Sequence, residues 1–394
     1  MKLLHLSDCH FSVGFANKSR EVRRALRESI RDSFRQAIDY TLLHELDLIL
    51  IAGDLFDTND VKSADGDFVL SQLRRATEAG IYVVYAAGNH DDRGVEAIVP
   101  EIRGLERFLL FSDGRVRSES ITLRSGETVT LVGNGYSYEP VSAASYPRRG
   151  DGIHIGIAHM SIDTVSAPPT KVKYNANSLD SLRSLRYDYF ALGHIHKRQM
   201  LTDRIAYSGS LQGLHINETG PKGGYLVELK SGGREIADIR ITEVNFNGIV
   251  FEQSRIDLTG MESLRELRSA IKTHLRTLRA GYVRLQAGGT TALYSTLYRD
   301  GEQEWLDGIA EECGMIGLEF VLSDLRPEVD LVSKQSENTL LGIMLRRVEE
   351  LTEFELRQLG YRADELGVQD LDELKAALRG EAVARLLEYE EVKR

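Results

Sequence analysis

Three apolar stretches in the first ninety residues each break off at a polar corner, and that repetition restricts the fold more than any other feature. A short apolar start runs into His5-Leu6-Ser7-Asp8-Cys9-His10. Leu48-Ile49-Leu50-Ile51-Ala52 runs into Gly53-Asp54, and Ile81 to Ala87 into Gly88-Asn89-His90-Asp91. A β-branched or aromatic run that stops at glycine reads as a buried strand. Two stretches of helical periodicity lie between them. One is Ser19 to Leu46, with Val22, Leu26, Ile30, Phe34 and Ile38 on one face, and the other is Ser63 to Ala79. Strand, helix, strand, helix, strand calls for a parallel, helix-covered sheet.

From Leu105 to Gly135 the pattern shortens to runs such as Ile121-Thr122-Leu123 and Val129-Thr130-Leu131-Val132 between Gly/Ser turns, which read as antiparallel strands. Further strands are expected at Ile153–His159, Tyr187–His196, Arg204–Leu211, Gly223–Leu229 and Ile236–Phe246. The expected fold class is α/β, with two stacked mixed sheets flanked by helices. A composition shift at Gly248 to Ser254 ends this domain near residue 250. Residues 251–332 read as a small α/β capping unit, with helices at Met261–Ala280 and Trp305–Cys313 and strands at Tyr282–Ala287 and Leu318–Leu325. Residues 333–394 form a helical tail punctuated by Gly360, Gly367 and Gly380. Its stripe of Leu340, Leu341, Met344, Leu345, Val348 and Leu351 is either the unit's own core or a surface for a partner.

Composition narrows the setting. No run is long and apolar enough for a membrane span, and the first residues lack the apolar core of a signal peptide. Cys9 and Cys313 are the only cysteines, which argues against disulfides or a zinc ribbon and for a reducing cytoplasm. The net charge of −11 disfavours nucleic acid at first sight. It is unevenly spread, however. Residues 301–394 carry 11 Lys and Arg against 23 Asp and Glu, whereas residues 1–300 carry 38 against 37, so the front of the chain can meet a polyanion.

The chemistry-bearing residues collect at expected strand ends, where open α/β sheets build their sites: Asp8, His10, Asp54, Asn89, His90, His159, His194 and His196. One histidine at a strand end is ordinarily a structural hydrogen-bonder; eight such groups at five ends make a constellation. Carboxylate and imidazole donors without thiolate suit manganese, iron or zinc, and the set suits a two-metal centre. Asp-x-His and His-x-His put both side chains on one side of an extended segment, so that each pair can chelate one ion. Only Asp8 and Asp54 bring charge to two divalent cations, leaving a positive site that attracts phosphate. His90 is left to stabilise the transition state or to protonate the leaving oxygen, with Asp91 to orient it.

Asp8-Cys9-His10, Gly53-Asp54, Gly88-Asn89-His90-Asp91, His159 and Gly193-His194-Ile195-His196, in that order, resemble the calcineurin-like metallophosphoesterase superfamily. Gly53-Asp54-Leu55-Phe56-Asp57, Tyr189 to His196 and Tyr207-Ser208-Gly209-Ser210-Leu211-Gln212-Gly213 resemble its DNA-repair exonuclease branch, the SbcD-like and YhaO-like nucleases, over about residues 1–250. The resemblance implies one metal held by Asp8, His10, Asp54 and His196, and a second by Asp54, Asn89, His159 and His194, with Asp54 bridging and His90 catalytic. It also implies Mn²⁺-dependent cleavage of DNA phosphodiesters and a C-terminal helical segment gripping an SMC-like (SbcC-like) coiled-coil ATPase. A homodimer is compatible with it. Leu214 departs from the pattern, standing where an arginine is expected after Gln-Gly.

Several residues keep two readings. Arg20, Arg23, Arg24, Arg27, Arg31 and Arg35 share an arc of the first helix, either as a solvated face paired with Glu28 and Asp32 or as a phosphate-contacting stripe. Asp57 either backs the metal-binding histidines or caps the next helix. His154 rivals His159 on the same strand. At the level of function, a phosphodiesterase or phosphatase on a small nucleotide or phosphoprotein, and an adaptor anchoring an ATPase beside a slow metal site, compete with the DNA nuclease. No Gly-x-x-x-x-Gly-Lys-Ser/Thr motif is present, so ATP hydrolysis by a P-loop belongs to another chain.

Overall fold

A computed structural model describes the chain except at residues 17, 59–60, 92–98, 164–174, 232–235, 247, 300–302, 359–370 and 393–394. It divides into two compact units, Met1–Phe15, Arg23–Leu214 and Pro221–Ile249 in one, and Ala16–Val22, His215–Gly220 and Val250–Arg394 in the other. In chain order the strands are β1 (Lys2–Leu6), β2 (Leu48–Ala52), β3 (Tyr82–Ala86), β4 (Phe108–Phe111), β5 (Arg117–Thr122), β6 (Thr128–Gly133), β7 (Ile153–His159) and β8 (Tyr189–Gly193). There follow β9 (Gln199–Met200), β10 (Ile205–Tyr207), β11 (Gly223–Ser231), β12 (Ile236–Asn245), β13 (Phe251–Asp257), β14 (Tyr282–Thr290) and β15 (Gly317–Arg326).

The first unit holds two six-stranded sheets, ordered β12-β11-β1-β2-β3-β4 and β5-β6-β7-β8-β10-β9. In the first, β1 to β4 run parallel and β11 and β12 are antiparallel additions. In the second, β6, β7, β8 and β10 run parallel between antiparallel edges. The two-sheet α/β fold expected from sequence is the one observed. One placement differs: β4 lies within the stretch expected to be antiparallel, yet it pairs parallel to β3, with Val83 opposite Phe108. Its Phe-Leu-Leu-Phe run is apolar on both faces, as a strand in a covered parallel sheet must be.

Burial explains why these sheets stack. Leu48, Leu50 and Ala52 of β2 join Val84 and Ala86 of β3, Val129 and Leu131 of β6, Ile155 and Ile157 of β7 and Tyr189 and Ala191 of β8 in one buried core between the sheets. Ile49 and Ile51 are equally buried and point to the opposite face by strand alternation. Helix α1 (Arg20–Leu43) buries Leu26, Ile30, Phe34 and Ile38 of the stripe read from the sequence, with Ala37 beside them and Val22 only half-buried, and α2 (Ser63–Glu78) buries Val69, Leu73 and Ala76. The far side of the second sheet is covered by α3 (Leu179–Arg183), where Leu182 packs with Val132, Phe190, Leu192 and Tyr207.

In the second unit β13, β14 and β15 form a parallel sheet. The composition shift at Gly248 to Ser254 therefore runs into a strand, β13, which its polar run Glu252-Gln253-Ser254-Arg255 hid. The unit's helices are α4 (Leu264–Leu275), α5 (Tyr294–Arg299), α6 (Gln303–Glu312), α7 (Leu331–Ser336), α8 (Leu340–Glu350), α9 (Glu353–Gln358) and α10 (Leu371–Val392). Leu341 and Leu345 of α8 and Val383 and Ala384 of α10 share one core with Val283, Leu285 and Ile309, while Leu340 and Ile343 are exposed. Gly360 and Gly367 lie outside the described residues. Among the described residues no helix is long and apolar enough to cross a membrane.

Gly380 does not punctuate the tail but sits inside α10, where an added Cβ would lie 2.2 Å from Tyr298 Cζ. Tyr298 cannot swing aside easily, because its hydroxyl donates to Leu322 O at 2.7 Å. Helix propensity alone favours Gly380→Ala by about 1 kcal/mol, whereas overpacking costs about 1–3 kcal/mol. We expect the variant to lower the thermal midpoint; a rise would show that the ring relaxes.

Candidate metal centre

The site is assembled where five strands stop. Beyond their last sheet hydrogen bonds, the exits of β1 and β2 run side by side: Asp8 N–H donates to Gly53 O at 3.0 Å, His10 N–H to Asp54 O at 3.0 Å and Phe11 N–H to Leu55 O at 2.9 Å. Asp8, His10 and Asp54 adopt the left-handed region, with φ of 50°, 50° and 49°, and His194 has φ 98°. Side chains in that region cost about 1–3 kcal/mol each, and Asp and His tolerate it better than branched residues. Asp8 and His10 are thus not carried by an extended segment, as strand alternation suggested. Left-handed turns bring the two side chains together instead.

Glycines make room for these turns. A Cβ on Gly88 would lie 2.1 Å from Asp54 Oδ1, and one on Gly53, whose φ is +91°, would lie 2.1 Å from His159 Nδ1. The Gly-Asp and Gly-Asn-His-Asp pairings are therefore steric requirements of the site's packing.

Asp54, 2% exposed, sits at the centre. Its Oδ2 lies 3.1 Å from His159 Nε2 and 3.8 Å from His10 Nε2, and its Oδ1 accepts from His90 N–H at 2.9 Å. Asp8 is wholly buried; its Oδ1 lies 3.7 Å from His196 Nε2, and both its oxygens accept from His194 N–H at 3.2 Å. His10 Nε2 is 3.2 Å from His196 Nε2, and the His159 and His194 ring centroids are 5.2 Å apart. Asn89 Oδ1 lies 3.1 Å from His159 Nε2. Asp8, His10 and His196 thus make one donor cluster, and Asp8, Asp54 and His159 another. His154, at the other end of β7, is engaged with Gly150 N and Gly152 O, away from these groups in sequence and partners.

The donor chemistry fits cations. His159 Nδ1 lies 3.0 Å from Ala52 O, a carbonyl that takes its proton, so Nε2 presents a lone pair toward the oxygens of Asp54 and Asn89. A nitrogen lone pair ringed by oxygen lone pairs calls for a positive ion between them, a metal or, in the bare protein, a proton. The electrostatics agree. Burial opposes charge on His159, but the Asp54 carboxylate overrides it and raises the imidazole to about 9. Burial likewise opposes charge on Asp54, and His159, His10 and His90 reverse that, holding its carboxyl below the ordinary range.

Asp57 does not cap α2, which begins at Ser63. Its Oδ1 lies 3.0 Å from His10 Nδ1 and 3.6 Å from His90 Nδ1, and His90 Nδ1 is 3.0 Å from Asp57 O. The residue that meets the His90 ring is therefore Asp57, chiefly through its main-chain carbonyl. The expectation that Asp91 orients that ring is corrected. Asp91 is fully buried and accepts from Gly88 N–H at 2.7 Å, Leu55 N–H at 2.8 Å, Phe56 N–H at 3.2 Å and the Tyr85 hydroxyl. It pins the β3 exit to the β2 exit. Sequence reasoning missed Tyr85, whose inward hydroxyl nothing in the alternating pattern distinguishes from a packing ring.

The arginine arc divides. Arg27 donates to Val13 O at 3.1 Å and Gly14 O at 3.0 Å, Arg31 to Asp65 at 2.6 Å, and Arg35 pairs with Asp32. The first two tie α1 to the segment after β1 and to α2, whereas the Arg35–Asp32 pair lies half-exposed within α1. Arg20 and Arg24 are exposed and Arg23 half-exposed.

Residues 1–198 match the family model described as calcineurin-like phosphoesterase, half of the chain. The chain belongs to the calcineurin-like phosphoesterase family. Residues 251–330 match the model of the middle domain of metallophosphoesterase YhaO. The chain is 31% identical over 291 residues to the metallophosphoesterase YhaO of Bacillus subtilis, covering 71% of this chain and 68% of that one. It is 24% identical to the DNA double-strand break repair protein Mre11 of Methanopyrus kandleri (69% and 62% covered). It is 27% identical to the SbcD component of the SbcCD nuclease of Escherichia coli K12 (60% and 66% covered). About two thirds of these relatives' length is thus matched. The resemblance to the YhaO- and SbcD-like branch is borne out, and the chain is a metal-dependent phosphoesterase.

Because Asp91 holds two strand exits together, Asp91→Asn turns one of its acceptor positions into a donor facing buried N–H groups. We expect a stability loss of about 2–4 kcal/mol, measured by denaturant unfolding. A variant of wild-type stability with a shifted pH–rate profile would return Asp91 to the role of His90's orienter.

Proposed function

We propose that this phosphoesterase is a Mn²⁺-type DNA nuclease, with one ion held by Asp8, His10, Asp54 and His196 and the other by Asp54, Asn89, His159 and His194. The observation that carries it is the position of Asp54 Oδ2 between His159 Nε2 and His10 Nε2, at 3.1 and 3.8 Å, which suits a carboxylate shared by two cations. Iron or zinc would suit the same oxygen and nitrogen donors. When bound, two divalent cations supply positive charge to the phosphoryl oxygens and acidify water for in-line attack. The chain's own groups do the rest. His90 is 43% exposed, and with Nδ1 against the Asp57 carbonyl its Nε2 is available to a substrate oxygen. It can protonate the leaving oxygen or stabilise charge on the phosphoryl group.

DNA as substrate is supported by the relatives named for break repair and for nuclease activity, and by the near-neutral balance of residues 1–300. Arg23 and Arg24 complete the reading as groups that meet phosphate. The partner we propose is an SMC-like ATPase docked on residues 333–394, where Leu340, Ile343 and Phe354 stand exposed. Residues 251–332 would then be the capping domain and 1–250 the nuclease domain, in a cytoplasmic setting.

With Mn²⁺ and linear or single-stranded DNA the protein should cleave. His90→Ala should lower kcat by about 10²–10⁴-fold with the metal content of wild type, and Asp54→Asn should lose metal. High turnover of bis-p-nitrophenyl phosphate with every DNA untouched would favour the small-substrate phosphodiesterase instead. Reversing Arg23 and Arg24 to Glu should weaken DNA binding and flatten its dependence on salt, by about one unit of slope for every phosphate no longer neutralised. Binding unchanged at every salt concentration would leave that helix face to solvent.

A further inference from the structure

We propose that Tyr138, braced by Tyr136, is a stacking platform for a nucleobase of the strand held at the metal centre; this rests on the DNA-nuclease reading above. The loop Asn134-Gly135-Tyr136-Ser137-Tyr138 leaves β6 at the edge of the sheet where β7 and β8 also end. β6 pairs in parallel with β7, Gly133 opposite Ile157, and β7 with β8, His159 opposite Gly193. The loop is tied to the exits of both sheets. Gly135 N–H donates to Asp113 O at 2.7 Å, just past β4, the parallel neighbour of the strand whose exit carries Asn89 and His90. On the other side, Val141 and Ala143 N–H donate to the side chains of Asn175 and Asn177 at 2.7 and 2.8 Å. Asn177 N–H in turn donates to Ser161 O at 3.0 Å, two residues after His159. Asp113 follows β4, one strand spacing (~5 Å) from β3, and Ser161 follows β7, the strand that carries His159 itself.

On this tied loop stands a side chain with no place in the core. Tyr138 is 84% exposed, the most exposed large apolar residue among those described. It is nonetheless oriented, meeting the Tyr136 ring edge-on at 84° with centroids 4.8 Å apart. A phosphodiester held at the metal centre presents bases to either side, and a base offers a flat π-face to any ring at the rim, whatever its sequence. A small phosphate ester without a base would have no use for such a ring. The ordinary alternative is a solvated turn residue that substrates never touch.

The test compares a single-stranded oligothymidylate with an oligomer of the same length built of abasic units, both cleaved by the full chain with Mn²⁺. Tyr138→Ala should raise KM for oligothymidylate about tenfold, the factor that loss of one base stack implies. It should leave KM for the abasic oligomer unchanged, and Tyr138→Phe should behave as wild type on both. An equal effect of Tyr138→Ala on both oligomers, or none on either while wild type cleaves oligothymidylate, overturns the stacking role alone. A wild type that hydrolyses bis-p-nitrophenyl phosphate and neither binds nor cleaves either oligomer overturns the nuclease reading, and the stacking role with it.

Discussion

One buried carboxylate joins the parts of this fold that have to meet. Asp54 Oδ1 takes the His90 amide from the exit of β3, Oδ2 faces His159 from β7 and His10 from beyond β1, and its own carbonyl takes the His10 amide. Three strand exits of one sheet and one of the other therefore converge on a single residue. Taking a carboxylate out of water costs several kcal/mol unless every lone pair is matched. The matching here comes from an amide and from imidazoles that need a cation to satisfy their own lone pairs. A fold stacked around Asp54 is thereby also a fold poised for metal.

The same convergence accounts for the backbone. A strand that ends pointing at a neighbouring sheet must turn within a residue or two to lay side chains across the edge instead of beyond it. Left-handed Asp8, His10, Asp54 and His194 supply those turns, and Gly53 and Gly88 leave space for the groups they deliver. The strain is carried by hydrogen bonds that zip the exits of β1 and β2 together and by Asp91 behind them. Stability and the geometry of the site are coupled at this edge, because the residues that hold the turns are neighbours of those that supply its donor atoms.

Much of this was legible in the sequence, and the reasons it was or was not are physical. Apolar periodicity marked β1 to β3, α1 and α2, because burial on one or both faces leaves a pattern that does not depend on partners. The polar residues after each strand marked the site, since nothing in a buried strand end requires imidazole. The left-handed turns were invisible, because φ at a non-glycine residue leaves no trace in composition. β13 was missed because the polar Glu252 and Ser254 share its half-covered face with Ile256, opposite the exposed Gln253, Arg255 and Asp257. Gly380 looked like a helix breaker because its reason for being there, the Tyr298 ring, comes from a segment some eighty residues earlier.

Asp54 and Asp91 show why adjacency in sequence misled about His90. Both are buried carboxylates at strand exits, and their surroundings push them apart. Asp54 faces imidazoles and is held below the ordinary range. Asp91, bonded to amides and a phenol, is pushed up by burial and by the Asp54 charge. Two environments that drive like groups in opposite directions assign them different work. The one that faces imidazoles is suited to metal, and the one fenced off by neutral donors is suited to holding loops. Asp57, half-buried, meets both rings: its carboxylate lies 3.0 Å from His10 Nδ1 and its main-chain carbonyl 3.0 Å from His90 Nδ1, so one residue positions two imidazoles of the site. Chain neighbours on a tight turn diverge in direction, and for that reason His90 Nδ1 meets the main-chain carbonyl of Asp57, 33 residues away, and not the carboxylate of Asp91 beside it.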